Sequence, residues 1–375
     1  MKNLLFVHHS GGLGGAPRSL SLLLDNVDST KYSTSLLCIY RGPVLEIFEP
    51  KPIKIIINER IYPFHGSTVV EKSLIVFLVN LIGPLFSFFN SRKVIRQVKP
   101  DIVHLNSSCL FVTAMAVKSI DKNIKVICHV REPLRKTIAG KIIKNMCYWF
   151  VDRFIAIDHF TGASMKTKNN IDIVYNPVDF TLYNPELKSR ILRDELNLDA
   201  DSVVFLYLAR VAKGNGALEL VNRANILSKK HPNYHFVIAG LDEENLDSYS
   251  KNVVKEAEGN SNIHLMKFRK DVPELIASSD IVVIPFTEPH FARAAIEAAS
   301  VGKPCIGAKI GGVDELIIQN VTGYLYSTLE EFDEYCIDLG ENKLKRQDFG
   351  EKAVLFAREN FDDRESSRRV FAAYE

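Results

Sequence analysis

The sequence predicts an α/β fold made of two doubly wound parallel sheets, and three observations carry that expectation. Short apolar runs alternate with helix-length segments along the whole chain: "NLLFV", "TSLLCIY", "DIVHL", "KVICHV" and "RFIAI", then "SVVFLYLA", "YHFVIAG", "NIHLM", "DIVVIPF", "KPCIG" and "GYLY". Strands buried on both faces and joined by crossover helices read this way. The series divides at "VYNPVDFTLYNPELKSR", where Asn176, Pro177, Asp179, Asn184 and Pro185 interrupt the periodicity. Finally, 375 residues at 46% hydrophobic composition are enough for two cores. Residues 1–180 are expected to form an N-terminal Rossmann-like domain and 181–355 a second one. A helical segment, 356–375, is expected to pack back toward the first. The open α/β rule puts a cleft at the carboxyl ends of the two facing sets of strands.

Composition narrows the function. A net charge of +2 gives no global pull toward nucleic acid. Six cysteines lie far apart without a CxxC pair, as expected for reduced structural thiols in a cytoplasmic protein. The start "MKNLLFVHHSGG" carries no signal-peptide pattern. Residues 74–89, "LIVFLVNLIGPLFSFF", are strongly apolar, yet fall short of the roughly 20 residues of a spanning helix and contain Gly83-Pro84. They are not expected to cross a membrane.

The first strand runs into "HHSGGLGGAPRSLSLLL". Pro17 suits the first turn of a helix, and Leu20, Leu23 and Leu24 are spaced for one buried face. Gly14 and Gly15 at that helix start let a ligand approach bare amides. The dinucleotide pattern G-x-G-x-x-G fails because Pro17 occupies the last position, and no acid ends the second strand. A tight turn alone explains one or two of these glycines but not all four.

The most informative stretch is "DIVVIPFTEPHFARAAIEAASVGKPCIGAKIGGVDELIIQNVTGYLY". After the strand "IVVIP" comes a loop, then the helix "ARAAIEAAS", whose first turn around Phe291, Ala292 and Arg293 offers unpaired amides to a phosphate. Glu297, on the second turn, is placed to accept two ribose hydroxyls. Gly311 and Gly312 form a second bare-amide loop, expected to lead into a short helix. Upstream, "LYLARVAKGNG" sets Arg210 and Lys213 beside glycines just past a strand, a pair suited to a departing diphosphate. In the N-terminal half, "KVICHVREP" ends a strand at His129, with Arg131 and Glu132 next to it. A His and a Glu there suit orienting an acceptor hydroxyl or taking its proton. The lone Asp-x-Asp, "DAD" at 199–201, reads as a surface turn, and no HExxH or GxSxG occurs. No metal is expected.

With these residues in place, the chain resembles the GT-B glycosyltransferases, specifically the retaining enzymes of glycosyltransferase family 4. The segments that carry the resemblance are "GGLGGAPRSL", "DIVHLNS", "NPVD", "LARVAKG", "DVPELIASSDIVVIP", "EAASVGKPCIG" and "GGVDELIIQNVTGYLY". The resemblance implies transfer of a sugar from a nucleoside diphosphate, UDP or GDP, with retention and without a catalytic metal. No cofactor is implied beyond that co-substrate, which the C-terminal domain would hold. Glu297 then resembles the second glutamate of a Glu-x7-Glu motif. Glu288 stands nine positions before it instead of eight, so either Glu288 on a bulged loop or His290 fills the first-glutamate role. By the same resemblance His129 reaches the reaction centre. Two other readings share the fold: a GT-B sugar-nucleotide epimerase, and a degenerate transferase serving as a partner subunit.

The apolar run 74–89 is followed by Arg92, Lys93, Arg96 and Lys99. "PLRKTIAGKIIKNMCYWF" mixes Arg135, Lys136, Lys141 and Lys144 with aliphatic and aromatic residues. Apolar stripes edged with cations suit peripheral contact with an anionic cytoplasmic leaflet. The acceptor would then be a saccharide that is lipid-linked, as in bacterial surface polysaccharide synthesis. The competing expectation is a buried core helix broken at Gly83-Pro84.

Overall fold

The structure is a computed structural model and describes residues 1–66, 74–165 and 171–375. The chain forms two compact units, Met1–Pro177 with Asp363–Glu375, and Val178–Asp362. The first contains β1 (Lys2–His8), α1 (Gly15–Asp25), β2 (Tyr32–Cys38), α2 (Leu45–Phe48), β3 (Lys54–Ile57), α3 (Leu74–Val98), β4 (Ile102–Leu105), α4 (Phe111–Lys118), β5 (Lys125–Val130), α5 (Ile138–Phe150), β6 (Arg153–Ala156), α6 (His159–Met165) and β7 (Ile171–Ile173). Its strands make one parallel sheet in the order β3-β2-β1-β4-β5-β6-β7. Leu4, Leu5, Phe6 and Val7 are all fully buried because both faces of β1 are covered. Leu5 and Val7 face the layer containing α4 and α5, while Leu4 and Phe6 face Leu20, Leu23 and Leu24 of α1.

The second unit contains α7 (Ile191–Glu195), β8 (Val203–Leu208), α8 (Ala217–Lys230), β9 (Tyr234–Leu241), α9 (Ser248–Ala257), β10 (Ile263–Lys267), α10 (Val272–Ser278), β11 (Ile281–Ile284), α11 (Arg293–Val301), β12 (Cys305–Ala308), β13 (Gly323–Tyr326), α12 (Leu329–Glu341) and α13 (Lys343–Asn360). Its parallel sheet runs β10-β9-β8-β11-β12-β13. The chain then returns to the first unit as α14 (Asp363–Ala372), where Val370, Ala373 and Tyr374 join the core beside α1. Each sheet reverses its strand order once, at β1/β4 and at β8/β11, and such switch points are where open α/β sheets receive ligands.

The structure moves several boundaries. The units divide after Pro177 instead of 180. The returning segment begins at Asp363 instead of 356, because α13 is continuous to Asn360 and packs on α11. Residues 311–316 form successive turns instead of a short helix, with Val313 N and Asp314 N both donating to Ile310 O at 3.1 Å. Nor does Pro84 break α3, which runs unbroken through it and is not a buried core helix.

Candidate active site

The chemistry-bearing residues collect at the two switch points. In the second unit, β8 ends at Leu208 and delivers Arg210 and Lys213; β11 ends at Ile284 and delivers the loop through Glu288 and His290 to α11. Glycines weld these loops together. Gly216, at φ +71°, lies so close to Pro285 that a Cβ would stand 1.7 Å from its carbonyl oxygen. Gly214 O accepts from the N–H groups of Thr287 and Glu288 at 3.0 and 3.1 Å, and Thr287 Oγ1 donates to Lys213 O at 2.8 Å. Gly240, at φ +138°, lets the end of β9 reach Ala209, and Val211 N donates to its carbonyl at 3.0 Å. Arg210 and Lys213 are thus held by their backbones while their side chains are exposed. Among the described residues neither forms a salt bridge, although the Arg210 charge reaches Asp247 and helps to lower its pKa.

The helix that follows starts without a side-chain cap, Ala292 serving as N-cap, so its first amides remain available. Glu297 is only 5% exposed, and its Oε1 accepts from Arg293 Nε at 3.1 Å, one turn earlier on α11. The expected ribose acceptor thus already shares its carboxylate with a neighbouring guanidinium. Glu288 is exposed and lies against Gly214. His290 stacks on Phe286 with ring centroids 4.1 Å apart, its Nδ1 2.8 Å from Glu288 O; burial lowers its pKa. Gly312, at φ +84°, packs on the His290–Phe291 backbone, where a Cβ would meet His290 C at 2.6 Å. Arg210, Lys213, Glu288, His290, Phe291, Gly311 and Gly312 therefore belong to one loop cluster of the second unit.

In the first unit the glycine loop divides into two roles. Gly11 packs on Arg41 O, where a Cβ would sit at 2.6 Å, whereas the Cβ positions of Gly12 and Gly14 face open space. Gly14 is the uncapped N-cap of α1, and Gly15 is its first residue. Nearby strand ends supply His8, His104, Asn106, His129 and Arg131. Arg131 Nε donates to Asn106 Oδ1 at 3.0 Å and its Nη1 to Asn176 Oδ1 at 2.6 Å. Asn106 Nδ2 also meets His8 Nδ1 at 3.0 Å. His129 is 3% exposed, and both its ring nitrogens lack a hydrogen-bond partner. Burial, then the Arg131 charge, holds His129 well below the usual histidine pKa, and the same causes bring His104 down to about 3. His129 is therefore neutral at pH 7 and a weak base. Glu132, half-buried, lies among His9 and His65.

Sequence reasoning missed the asparagines that hold Arg131 and the glycine that seats the Arg210 loop. "HLNSS" and "VIAG" put Asn106 and Gly240 just at strand ends, which was the available signal. In the sequence Asn176 reads only as a linker breaker.

Comparison with known proteins accounts for this arrangement. The profile for Glycosyltransferase Family 4 matches residues 45–182, and that for Glycosyl transferases group 1 matches 188–355. The chain belongs to this glycosyltransferase family. It is 23% identical over 342 residues to an Escherichia coli UDP-Gal:alpha-D-GlcNAc-diphosphoundecaprenol alpha-1,3-galactosyltransferase, spanning 86% of this chain and 83% of that one. The Anabaena protein HepE, solved with UDP and glucose, is 20% identical and superimposes with a TM-score of 0.77 over 100% of this chain and 99% of its own. Sucrose-phosphate synthase from Thermosynechococcus elongatus reaches 0.76 at 13% identity, covering 100% and 98%. At such identities the likeness in structure is one of fold. Together with the two profiles it makes this family member a GT-B glycosyltransferase acting on a nucleotide sugar, with two Rossmann-like units.

Proposed function

We propose that this glycosyltransferase moves a hexosyl group from a UDP-sugar to a lipid-linked saccharide, with retention of configuration, in the assembly of a bacterial surface polysaccharide. Neither a metal ion nor an organic cofactor takes part. The observation that carries this reading is the pair Arg210 and Lys213, exposed, free of salt bridges among the described residues and seated on glycine-welded backbone in the loop cluster that leads into the uncapped start of α11. As the bond from the anomeric carbon to the β-phosphate oxygen breaks, negative charge grows on the diphosphate. Two cations and bare amides meet that charge most strongly in the transition state. In this reading Arg210, Lys213 and those amides carry this work. Glu297 anchors the ribose, sharing its carboxylate with Arg293, and Glu288 or His290 contacts the transferred sugar. His129 acts as a hydrogen-bonding group toward the sugar or acceptor, because its lowered pKa makes it a poor proton acceptor.

UDP is chosen because the E. coli relative is named for UDP-galactose and HepE was solved with UDP. The lipid-linked acceptor rests on the same relative's diphosphoundecaprenol substrate, and it implies work at the cytoplasmic leaflet. Titrating the protein with UDP and GDP, then assaying UDP-sugars against a polyprenyl-diphosphate-linked saccharide with a chelator present, tests the proposal. An α-linked product from an α-linked donor, formed in the presence of chelator, is expected. A β-linked product overturns retention, and loss of activity that added Mg²⁺ or Mn²⁺ restores overturns metal independence.

A further inference from the structure

Helix α3 is built inside out. The face it turns to its own unit is lined by Gly83, Ser87, Ser91, Val94 and Ile95, while Leu74, Ile75, Phe77, Leu78, Leu81, Ile82, Leu85, Phe86 and Phe89 point into solvent. The small residues make a docking seam. Gly83 lies under Tyr62, Ser87 Oγ accepts from Tyr62 N at 2.8 Å and donates to Tyr62 O at 3.1 Å, and Ser91 meets Thr113 at 3.0 Å. Asn80 Nδ2 donates to His65 O, and His65 N donates to Asn80 Oδ1, both at 2.8 Å. The helix is thus fixed to the unit along its length, with its large apolar side chains outward. Water is a poor neighbour for such a stripe.

We propose that this outward face of α3, continued by α5, is a docking surface that beds into an anionic lipid bilayer. The observation that selects this occupant is charge. From Leu74 to Lys99 there is no acidic residue, and the four cations Arg92, Lys93, Arg96 and Lys99 follow the apolar stripe. Helical spacing carries Lys93 and Arg96 onto the same face, about one and two turns beyond Phe89. Residues 133–151 likewise contain no acid and include Arg135, Lys136, Lys141 and Lys144, while α5 exposes Ile138, Ile142 and Trp149. The two segments share one side of the unit. Residues 61–66 lie between them, with Tyr62 against Gly83 of α3 and Gly66 against Ala139 and Gly140 of α5. A second copy of the chain would bring a like-charged face to this one, whereas anionic headgroups complement it. By length and composition α3 is long and apolar enough to cross a membrane. Its seam keeps it on the unit, so it lies in the interface, apolar residues in the acyl region and cations at the phosphates, with Trp149 at headgroup level.

The test needs no sugar substrate, so its failure is distinct from failure of the transferase reading. The full chain is floated with phosphatidylcholine vesicles, with and without phosphatidylglycerol, at low and high salt. Flotation with the anionic vesicles that high salt abolishes is expected. The paired change Leu81→Asp and Leu85→Asp should abolish it while leaving thermal unfolding in solution unchanged, since both side chains are exposed. Replacing Lys93 and Arg96 by Gln should weaken partitioning about fivefold per residue. Equal flotation with neutral vesicles, no flotation, or flotation that survives the Leu81/Leu85 change overturns the proposal. Self-association in the ultracentrifuge that these variants abolish, without vesicle binding, overturns it in favour of a second copy.

Discussion

Gly216 is locked against Pro285: its φ is +71°, and a Cβ in its place would stand 1.7 Å from the Pro285 carbonyl oxygen. This contact joins the loop after β8 to the loop after β11. Gly216→Ala meets both a left-handed backbone, worth about 1–2 kcal/mol for an L-residue, and a steric overlap that the backbone must move to relieve. We expect destabilisation of more than about 2 kcal/mol in urea unfolding, together with weaker UDP binding by calorimetry. Unchanged UDP affinity would separate the weld from the donor site.

Arg210 and Lys213 face solvent and form no salt bridge among the described residues, so removing either costs the fold little. Arg210→Ala is expected to lower kcat by about 10²-fold, as for loss of one preorganised donor to a developing charge. The fall should be larger in kcat than in donor affinity. Steady-state kinetics on a UDP-sugar decides this, and wild-type kcat would remove the residue from the chemistry.

Buried Glu297 pairs with the partly exposed Arg293 on one face of α11. Glu297→Ala removes one charge-assisted hydrogen bond from the partly exposed Arg293, at a cost of about 1.5 kcal/mol in stability. If the carboxylate also holds ribose hydroxyls, UDP binding should weaken by a further 1.5–3 kcal/mol, about the value of charge-assisted hydrogen bonds. Comparing UDP with uracil, which lacks the ribose, isolates that contribution. Equal losses for both ligands would make Glu297 a purely structural partner of Arg293.

Burial depresses the pKa of His8, His104 and His129 in the folded state, to about 3 for His104. The unfolded imidazole titrates near 6.5, so below that pH the unfolded chain binds protons that the folded chain refuses. Stability from these groups is complete above about pH 6.5 and is lost as pH falls toward the folded values, at roughly 1.4 kcal/mol per pH unit for each group. Urea midpoints should therefore drop steeply between pH 6.5 and 5. His104→Phe should flatten part of that slope, and an unchanged slope would locate the acid sensitivity elsewhere.

Central strands were legible because they are buried on both faces and read as apolar runs, as in "NLLFV" and "IVVIP". The edge strands β3 (Lys54–Ile57) and β7 (Ile171–Ile173) escaped notice. They are short, only partly buried and spell "KIII" and "IDI", too few residues to show a period. The loops that carry Arg210, Lys213 and Glu288 were visible from their glycines and strand ends. Their mutual contacts were not, since a glycine's need for a positive φ shows only when the loop it touches is known. The sequence leaves the orientation of α3 open between an exposed stripe and a buried core helix for a related reason: its composition is apolar on nearly every turn, and the telling feature is Gly83, Ser87 and Ser91 recurring at intervals of four. Glu297 and Arg293 had the spacing of a helical pair, but a role for the ligand hid the role each plays for the other.

The return of the chain as α14 bears on how the protein is made. Val370, Ala373 and Tyr374 complete the core layer formed by Leu4, Phe6, Leu36 and Ile102, and Tyr374 Oη lies 2.7 Å from His104 Nδ1. On the ribosome, residues 1–177 emerge first, yet this layer lacks its last side chains until the whole of Val178–Asp362 has followed. At ordinary elongation rates that delay is on the order of ten seconds or more. Throughout it, the first unit carries an open apolar surface over β1 and β4, so the nascent chain must pass through a stage in which its earlier half waits, unsealed, for residues 363–375 to be translated.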